Sequence, residues 1–139
     1  MNFKHTLMFC CSIFCGSMAF APLASASPAT DAEFAQFKQE GAAKFSAEQG
    51  KQNWTKEVTS KEGDKRSCTS CHDADLTKPG KHNKTKKVID PMSPSVNPDR
   101  FTDQKKIEKW FKRNCEWTWG RECTAQEKGD FLKFLTGEK

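Results

Sequence analysis

Cys68-Thr69-Ser70-Cys71-His72 is the stretch whose reading decides the fold. Two thiols separated by two residues and followed at once by a histidine form the attachment motif of a c-type haem. Each thiol can add to one vinyl group of a porphyrin, and the adjoining imidazole is then placed beneath the iron as proximal ligand. Two other readings of a C-x-x-C pair are weaker here. A zinc site needs a second close pair, whereas Cys115 and Cys123 stand eight apart. A dithiol enzyme needs a βαβ context, which no part of the chain suggests.

The flanking sequence agrees with a cofactor-filled core. The chain has 139 residues, enough for one domain, with 35% hydrophobic and 29% charged side chains. Its mean hydropathy of −0.81 excludes a multi-span membrane protein. Leu, Ile and Val are few, and the apolar supply is dominated by 11 Phe and 4 Trp. A large flat apolar cofactor would complete such a core; mutual packing of the aromatics is the simpler use of them. Tyrosine is absent, so no phenol is available to bind iron.

Seven cysteines are an odd number, and the N-terminus accounts for three of them. Residues 1–26 carry Lys4 and His5, then an apolar run from Thr6 to Phe20, then Ala24-Ser25-Ala26. That is the pattern of a secretory signal with an A-x-A cleavage site, and its apolar stretch is short for a spanning helix. The expected division is therefore a signal peptide over 1–26 and a mono-haem cytochrome c domain over 27–139. The mature chain would be periplasmic, without stable membrane insertion, and would keep Cys68, Cys71, Cys115 and Cys123. With 22 basic and 18 acidic residues it is only mildly basic, and nucleic-acid binding does not suit an exported haem protein.

The periodicity predicts helices and no convincing strand. Phe34, Phe37, Gly41 and Phe45 share one face of a helix over 31–45. Trp54 and Val58 fit one further helical turn. Four prolines between Cys68 and Pro98 keep that region mostly in loops. Thr102 or Asp103 caps a helix running to about Asn114, with Ile107, Trp110, Phe111 and Asn114 inward. Thr124 with Glu127 forms a capping box for the last helix, and Gly137 stands at its C-cap. The fold expected is all-α, a class I cytochrome c-like helical fold around one covalent haem c.

The sixth iron ligand separates an electron carrier from a ligand-binding haem, and the residues leave several candidates. Met92, within Asp90-Pro91-Met92-Ser93-Pro94, would give an ordinary His/Met electron-transfer cytochrome c. His82 lies in a lysine-rich turn, and the lysines fall in exposed runs. Asn114 occupies the i+7 place of an apolar stripe, where it either bonds a helix-end carbonyl or faces the iron. A buried carboxamide without a partner would cost roughly 1–3 kcal/mol.

The run from Cys68 onward resembles the Sphaeroides haem protein family of oxygen-binding c-type cytochromes. The resemblance is carried by the C-x-x-C-H motif, Lys81-His82, Pro91-Met92-Ser93-Pro94-Ser95-Val96-Asn97-Pro98 and Arg100-Phe101-Thr102-Asp103. It continues through Lys109-Trp110-Phe111, Arg113-Asn114-Cys115 and Gly120-Arg121-Glu122-Cys123-Thr124. It implies that Cys68 and Cys71 hold the haem, that His72 is the proximal iron ligand, and that Asn114 is the labile distal one. The asparagine would bind in the ferric protein and swing away on reduction, admitting small gaseous ligands such as oxygen or nitric oxide. A dihaem cytochrome c is the implied electron donor. Whether the ligand is carried, sensed or turned over is left open by the residues.

A bridge between Cys115 and Cys123 would close a nine-residue loop one residue beyond Asn114, stabilising the fold by roughly 2.5 kcal/mol. Its simplest role is a structural staple. Trp117 and Trp119 fall inside that loop, where they either shield the distal pocket or, more simply, are partly exposed packing residues. Lys78, Lys81, Lys84, Lys86 and Lys87, with Lys105, Lys106, Lys109 and Lys112, could steer an acidic redox partner or serve solubility alone.

Overall fold

A computed structural model describes residues 27–137, and the signal peptide expected over 1–26 lies outside the described residues. Four helices carry the fold: α1 (Pro28–Gln39), α2 (Ala47–Thr55), α3 (Gln104–Trp119) and α4 (Ala125–Thr136). Between α2 and α3 run two antiparallel ribbons and the haem-motif turn. Strands β1 (Val58–Thr59) and β2 (Lys65–Arg66) pair with each other, as do β3 (Gly80–Lys81) and β4 (Val88–Ile89). These two-residue strands are too short to show an alternating pattern, which is why periodicity predicted none. Among the described residues, no helix is long and apolar enough to cross a membrane.

Each helix begins where a side chain can accept from an orphan backbone N–H. Ser27 caps α1 by accepting from the Thr30 amide and also donates to the Phe101 carbonyl. Ser46 caps α2, Asp103 caps α3, and Thr124 with Glu127 forms a reciprocal capping box on α4. Gly137 closes α4 in the left-handed region at φ +71°.

Two helix boundaries differ from the periodicity. The helix expected over 31–45 ends at Gln39, because the chain reverses at Gly41 with φ +94°. The reversal still brings Phe45 back to Phe34, with ring centroids 5.2 Å apart, so the aromatic stripe survives as a tertiary contact. Helix α3 continues past Asn114 to Trp119, so Trp117 and Trp119 stand on a helix. Trp54 ends up on α2 while Val58 has left it for β1.

The core has two connected parts. Phe37, Phe45, Ile107 and Leu132 fill the space among α1, α3 and α4. Trp54, Cys115, Cys123, Phe131 and Leu135 form the other, with Phe111 and Phe101 packed against both. Helices α2 and α4 cross closely, tied by the Ser46 amide donating to Asp130 Oδ1 at 2.7 Å. Trp54 meets Phe131 edge-on at 6.4 Å and Phe134 at 6.2 Å.

Glu33 on α1 is fully buried, and neither carboxylate oxygen has a hydrogen-bond partner among the described residues. Burial, reinforced by the negative charge of Glu108 on α3, pushes its pKa up to about 7; Gln104 and Lys128 oppose this only in part. The folded state therefore holds the proton more tightly than the unfolded chain. Stability from this group is complete below the ordinary carboxylate value and is lost as pH rises through about 7. The swing is about 3 kcal/mol at most. Glu33→Gln is expected to raise the melting temperature of the haem-loaded protein by about 5 °C or more at pH 8 and by far less at pH 5. Equal shifts at both pH values in a calorimetric comparison would contradict the assignment.

Candidate functional site

Residues 67–72 are held in one tight turn. The Cys71 and His72 amides both donate to the Cys68 carbonyl, at 3.3 and 3.0 Å. Ser67 and Ser70 lock the turn reciprocally: the Ser67 amide donates to Ser70 Oγ at 3.0 Å and the Ser70 amide to the Ser67 carbonyl at 3.1 Å. One helical turn thus sets both thiols on the same side with the imidazole beyond them. The β3–β4 hairpin clamps this turn through the Lys81 amide, which donates to the Cys71 carbonyl at 2.7 Å. Gly80 permits the approach, since a Cβ there would stand 2.2 Å from the Cys71 carbonyl oxygen.

The turn forms part of the wall of a cavity of about 430 Å³. Cys68, Cys71 and His72 line it together with Met92 from the proline-rich loop, and Phe111 and Asn114 from α3. Cys68 and Cys71 are free thiols, not bridged to each other. Burial pushes the Cys68 thiol up to about 12, so it stays protonated and apolar. Burial, and secondarily the positive charge of Arg100, drive His72 down to about 4, which keeps the imidazole neutral as ligation of a metal requires.

Two polar atoms among the lining residues are orphaned. His72 Nδ1 and Trp119 Nε1 are both buried without a hydrogen-bond partner. Such groups normally cost about 1–3 kcal/mol each. Trp54 packs over His72 with ring centroids 5.2 Å apart and donates its own indole N–H to the Asp73 carbonyl at 3.4 Å. An apolar cavity of this size, two unbridged thiols and a neutral imidazole on its wall suit a covalently attached haem.

The remaining candidates are distributed as follows. Asn114 lines the cavity but is exposed, as is Trp110 at 48%. The stripe read as inward along α3 therefore faces the core only through Ile107 and Phe111; Trp110 and Asn114 face the cavity, whose interior is not protein. Cys115 and Cys123 form a disulfide with Cα atoms 5.6 Å apart, anchoring the end of α3 to the start of α4. Met92 is pinned by its backbone: its amide and that of Ser93 donate to the Leu76 carbonyl at 3.0 and 2.9 Å. His82 is exposed in the hairpin turn, where its Nδ1 accepts from the Thr85 amide at 3.1 Å.

Two contributors, Trp54 and Arg100, escape a reading of the sequence. Trp54 packs at a tilt against the histidine from 18 residues upstream, and no spacing rule links the two. Trp119, read from the sequence as a shield for the distal pocket, does line the cavity, from the last turn of α3. Arg100 holds the Met92 loop by donating to the Pro91 and Asp90 carbonyls at 2.9 and 2.7 Å.

Comparison with known proteins matches this geometry to a set of cytochromes. The profile of the family described as Domain of unknown function (DUF1924) matches residues 40–135. The cytochrome c-type protein SHP of Cereibacter sphaeroides is 45% identical over 92 residues, covering 66% of this chain and 70% of that protein. Cytochrome c'' of Methylophilus methylotrophus is 35% identical over 89 residues, 64% of this chain and 62% of the other. Among solved structures, oxidised SHP, described as an oxygen-binding cytochrome c, superposes with a TM-score of 0.71 at 38% identity. That match covers 78% of this chain and 96% of SHP. Oxidised cytochrome c'' gives 0.69 at 28% identity, covering 80% of this chain and 95% of its own.

Proposed function

The chain belongs to the DUF1924 family, that of the Sphaeroides haem protein, an all-α class I cytochrome c-like fold with one covalent haem c, and from that premise we propose a periplasmic cytochrome with a labile asparagine ligand. Cys68 and Cys71 would hold the porphyrin through thioether bonds, His72 would be the proximal iron ligand, and Asn114 the distal one. When bound, the haem would supply a redox-active iron able to exchange a weakly held ligand. Asn114 would hold the ferric site and release it on reduction, leaving room for a small diatomic ligand, oxygen or nitric oxide, with a dihaem cytochrome c as the electron donor.

The observation that carries this reading is the cavity itself. Asn114 on α3 lines the same space as Cys68, Cys71 and His72, with its carboxamide free of any hydrogen bond among the described residues. A neutral carboxamide is a weak donor, readily given up when the iron charge falls. The disulfide one residue on limits how far the end of α3 can travel. Met92 also lines the cavity, but its backbone is bonded to Leu76, four residues beyond His72, which ties it to the segment that carries the proximal ligand. Periplasmic export rests on the signal pattern of residues 1–26.

The test is spectroscopic. The ferric haem protein is expected to be six-coordinate, and the dithionite-reduced protein to bind carbon monoxide promptly with a shifted Soret band. A reduced protein that stays six-coordinate and ignores carbon monoxide overturns the labile-ligand reading in favour of His72/Met92 electron transfer.

A further inference from the structure

The imidazole on the cavity wall is held firmly at its backbone end. The His72 amide donates to the Cys68 carbonyl at 3.0 Å, and the Lys81 amide holds the neighbouring Cys71 carbonyl at 2.7 Å. Gly80 lies so close that a Cβ on it would stand 2.9 Å from the His72 Cα. The main chain of His72 is thus fixed, but its ring can still turn about the outer side-chain bond, whose torsional profile is broad. A metal-ligating histidine is ordinarily kept from turning by a second partner, which accepts a hydrogen bond from its other nitrogen and makes the ring a stronger donor. His72 Nδ1 has no such partner among the described residues, and it is sealed from solvent, so no water reaches it.

What touches the ring instead is Trp54. This side chain is 5% exposed and packs against the imidazole with centroids 5.2 Å apart and planes inclined by 38°. That separation lies within the range of favourable aromatic contacts. The indole is itself immobilised by α4, where Phe131 meets it edge-on at 6.4 Å and Phe134 stands 6.2 Å away. Its Nε1 donates to the carbonyl of Asp73, the residue after the histidine, at 3.4 Å. One side chain of α2 therefore grips both the ring of His72 and the backbone that follows it.

We infer that Trp54 is the positioning residue of the proximal ligand: its flat face, and not a hydrogen bond, sets the plane of the His72 imidazole. The inference rests on the reading of His72 as an iron ligand and adds how that ligand is oriented. The plane matters because an imidazole donates into iron orbitals that differ in direction. Its angle about the iron–nitrogen bond therefore distributes the unpaired electron of a ferric haem unevenly over the porphyrin. A ring without an acceptor at Nδ1 also stays the weaker donor, which is one of the levers a protein has on haem potential.

Proton magnetic resonance of the ferric cyanide adduct tests this. Cyanide is axially symmetric, so the proximal imidazole plane alone sets the order of the haem methyl resonances, whichever residue cyanide displaces. Trp54→Phe keeps a flat ring and is expected to preserve that order. Trp54→Leu and Trp54→Met remove the flat face, the methionine filling much of the space, and are expected to reorder the methyl resonances or collapse their spread. Leu132→Ala is the control for destabilisation alone. Leu132 is 0% exposed in the other part of the core, and its loss should lower the melting temperature without changing the order. An order unchanged in both Trp54→Leu and Trp54→Met, or changed equally by Leu132→Ala, overturns the proposal. In the parent protein, Overhauser contacts should join the His72 ring protons to the Trp54 indole, and their absence overturns it without any variant. His72 ring protons that carry no hyperfine shift overturn the reading of His72 as ligand, and the proposal with it, so the two failures are told apart.

Discussion

Replacing both Cys68 and Cys71 with alanine is expected to give a colourless chain that does not reach the native fold. The reason lies in the size of the cavity relative to the core. The buried hydrophobic side chains among the described residues are Phe37, Phe45, Trp54, Ile107, Phe131, Leu132 and Leu135, with the bridged cysteines. Against that modest set stands a cavity of about 430 Å³. At about 24 cal/mol per Å³, keeping such a volume open would cost roughly 10 kcal/mol, an upper bound because this cavity opens to solvent. Half of that figure would still match the lower end of a typical domain stability of about 5–15 kcal/mol.

The expected measurements are therefore concordant: no covalent haem by mass spectrometry, no Soret band, and a far-ultraviolet signal without a cooperative melt. Each single variant should retain one thioether and melt cooperatively at a lower temperature. A colourless double variant with the parental melting curve would show that the aromatics close the core unaided, and the cofactor-filled core would be wrong.

What was legible in the sequence was local chemistry. The thiol spacing fits one turn, and Asp103, Thr124 with Glu127, and Gly137 each satisfy backbone groups within a few residues, so their roles can be read without tertiary information. What was not legible depends on contacts distant in sequence. The Phe34–Phe45 pair is in phase with a continuous helix, yet it forms across a reversal at Gly41. Nothing in Ala32-Glu33-Phe34 announces that Glu33 will be sealed off without a hydrogen bond. Trp110 and Asn114 have the spacing of core residues because they do face an interior, but one shaped for something other than side chains. Hydrophobic periodicity cannot separate those two kinds of inside.

Asn114→Val is expected to convert the ferric haem from six- to five-coordinate while leaving the fold intact. Asn and Val have similar helix propensities, and Asn114 makes no hydrogen bond among the described residues, so the substitution removes no protein contact from α3. A spectral change in this variant can then be ascribed to the lost ligand and not to unfolding. If displacing the carboxamide contributes even about 1.4 kcal/mol to the barrier, cyanide should associate with the ferric variant about tenfold faster than with the parent. Met92→Leu removes the competing sulfur at nearly constant volume and should leave both the coordination and the cyanide rate unchanged. The converse pattern, with Met92→Leu stripping the sixth ligand and Asn114→Val leaving it in place, would assign the distal position to Met92. The disulfide offers a further discriminating arm, because Cys115–Cys123 begins one residue from the proposed ligand. Cys115→Ala/Cys123→Ala should loosen the end of α3, raising the cyanide rate in the parent background and adding nothing once Asn114 is valine. That non-additivity is the signature of two groups acting on one position, and additive effects would place the disulfide's influence elsewhere in the fold.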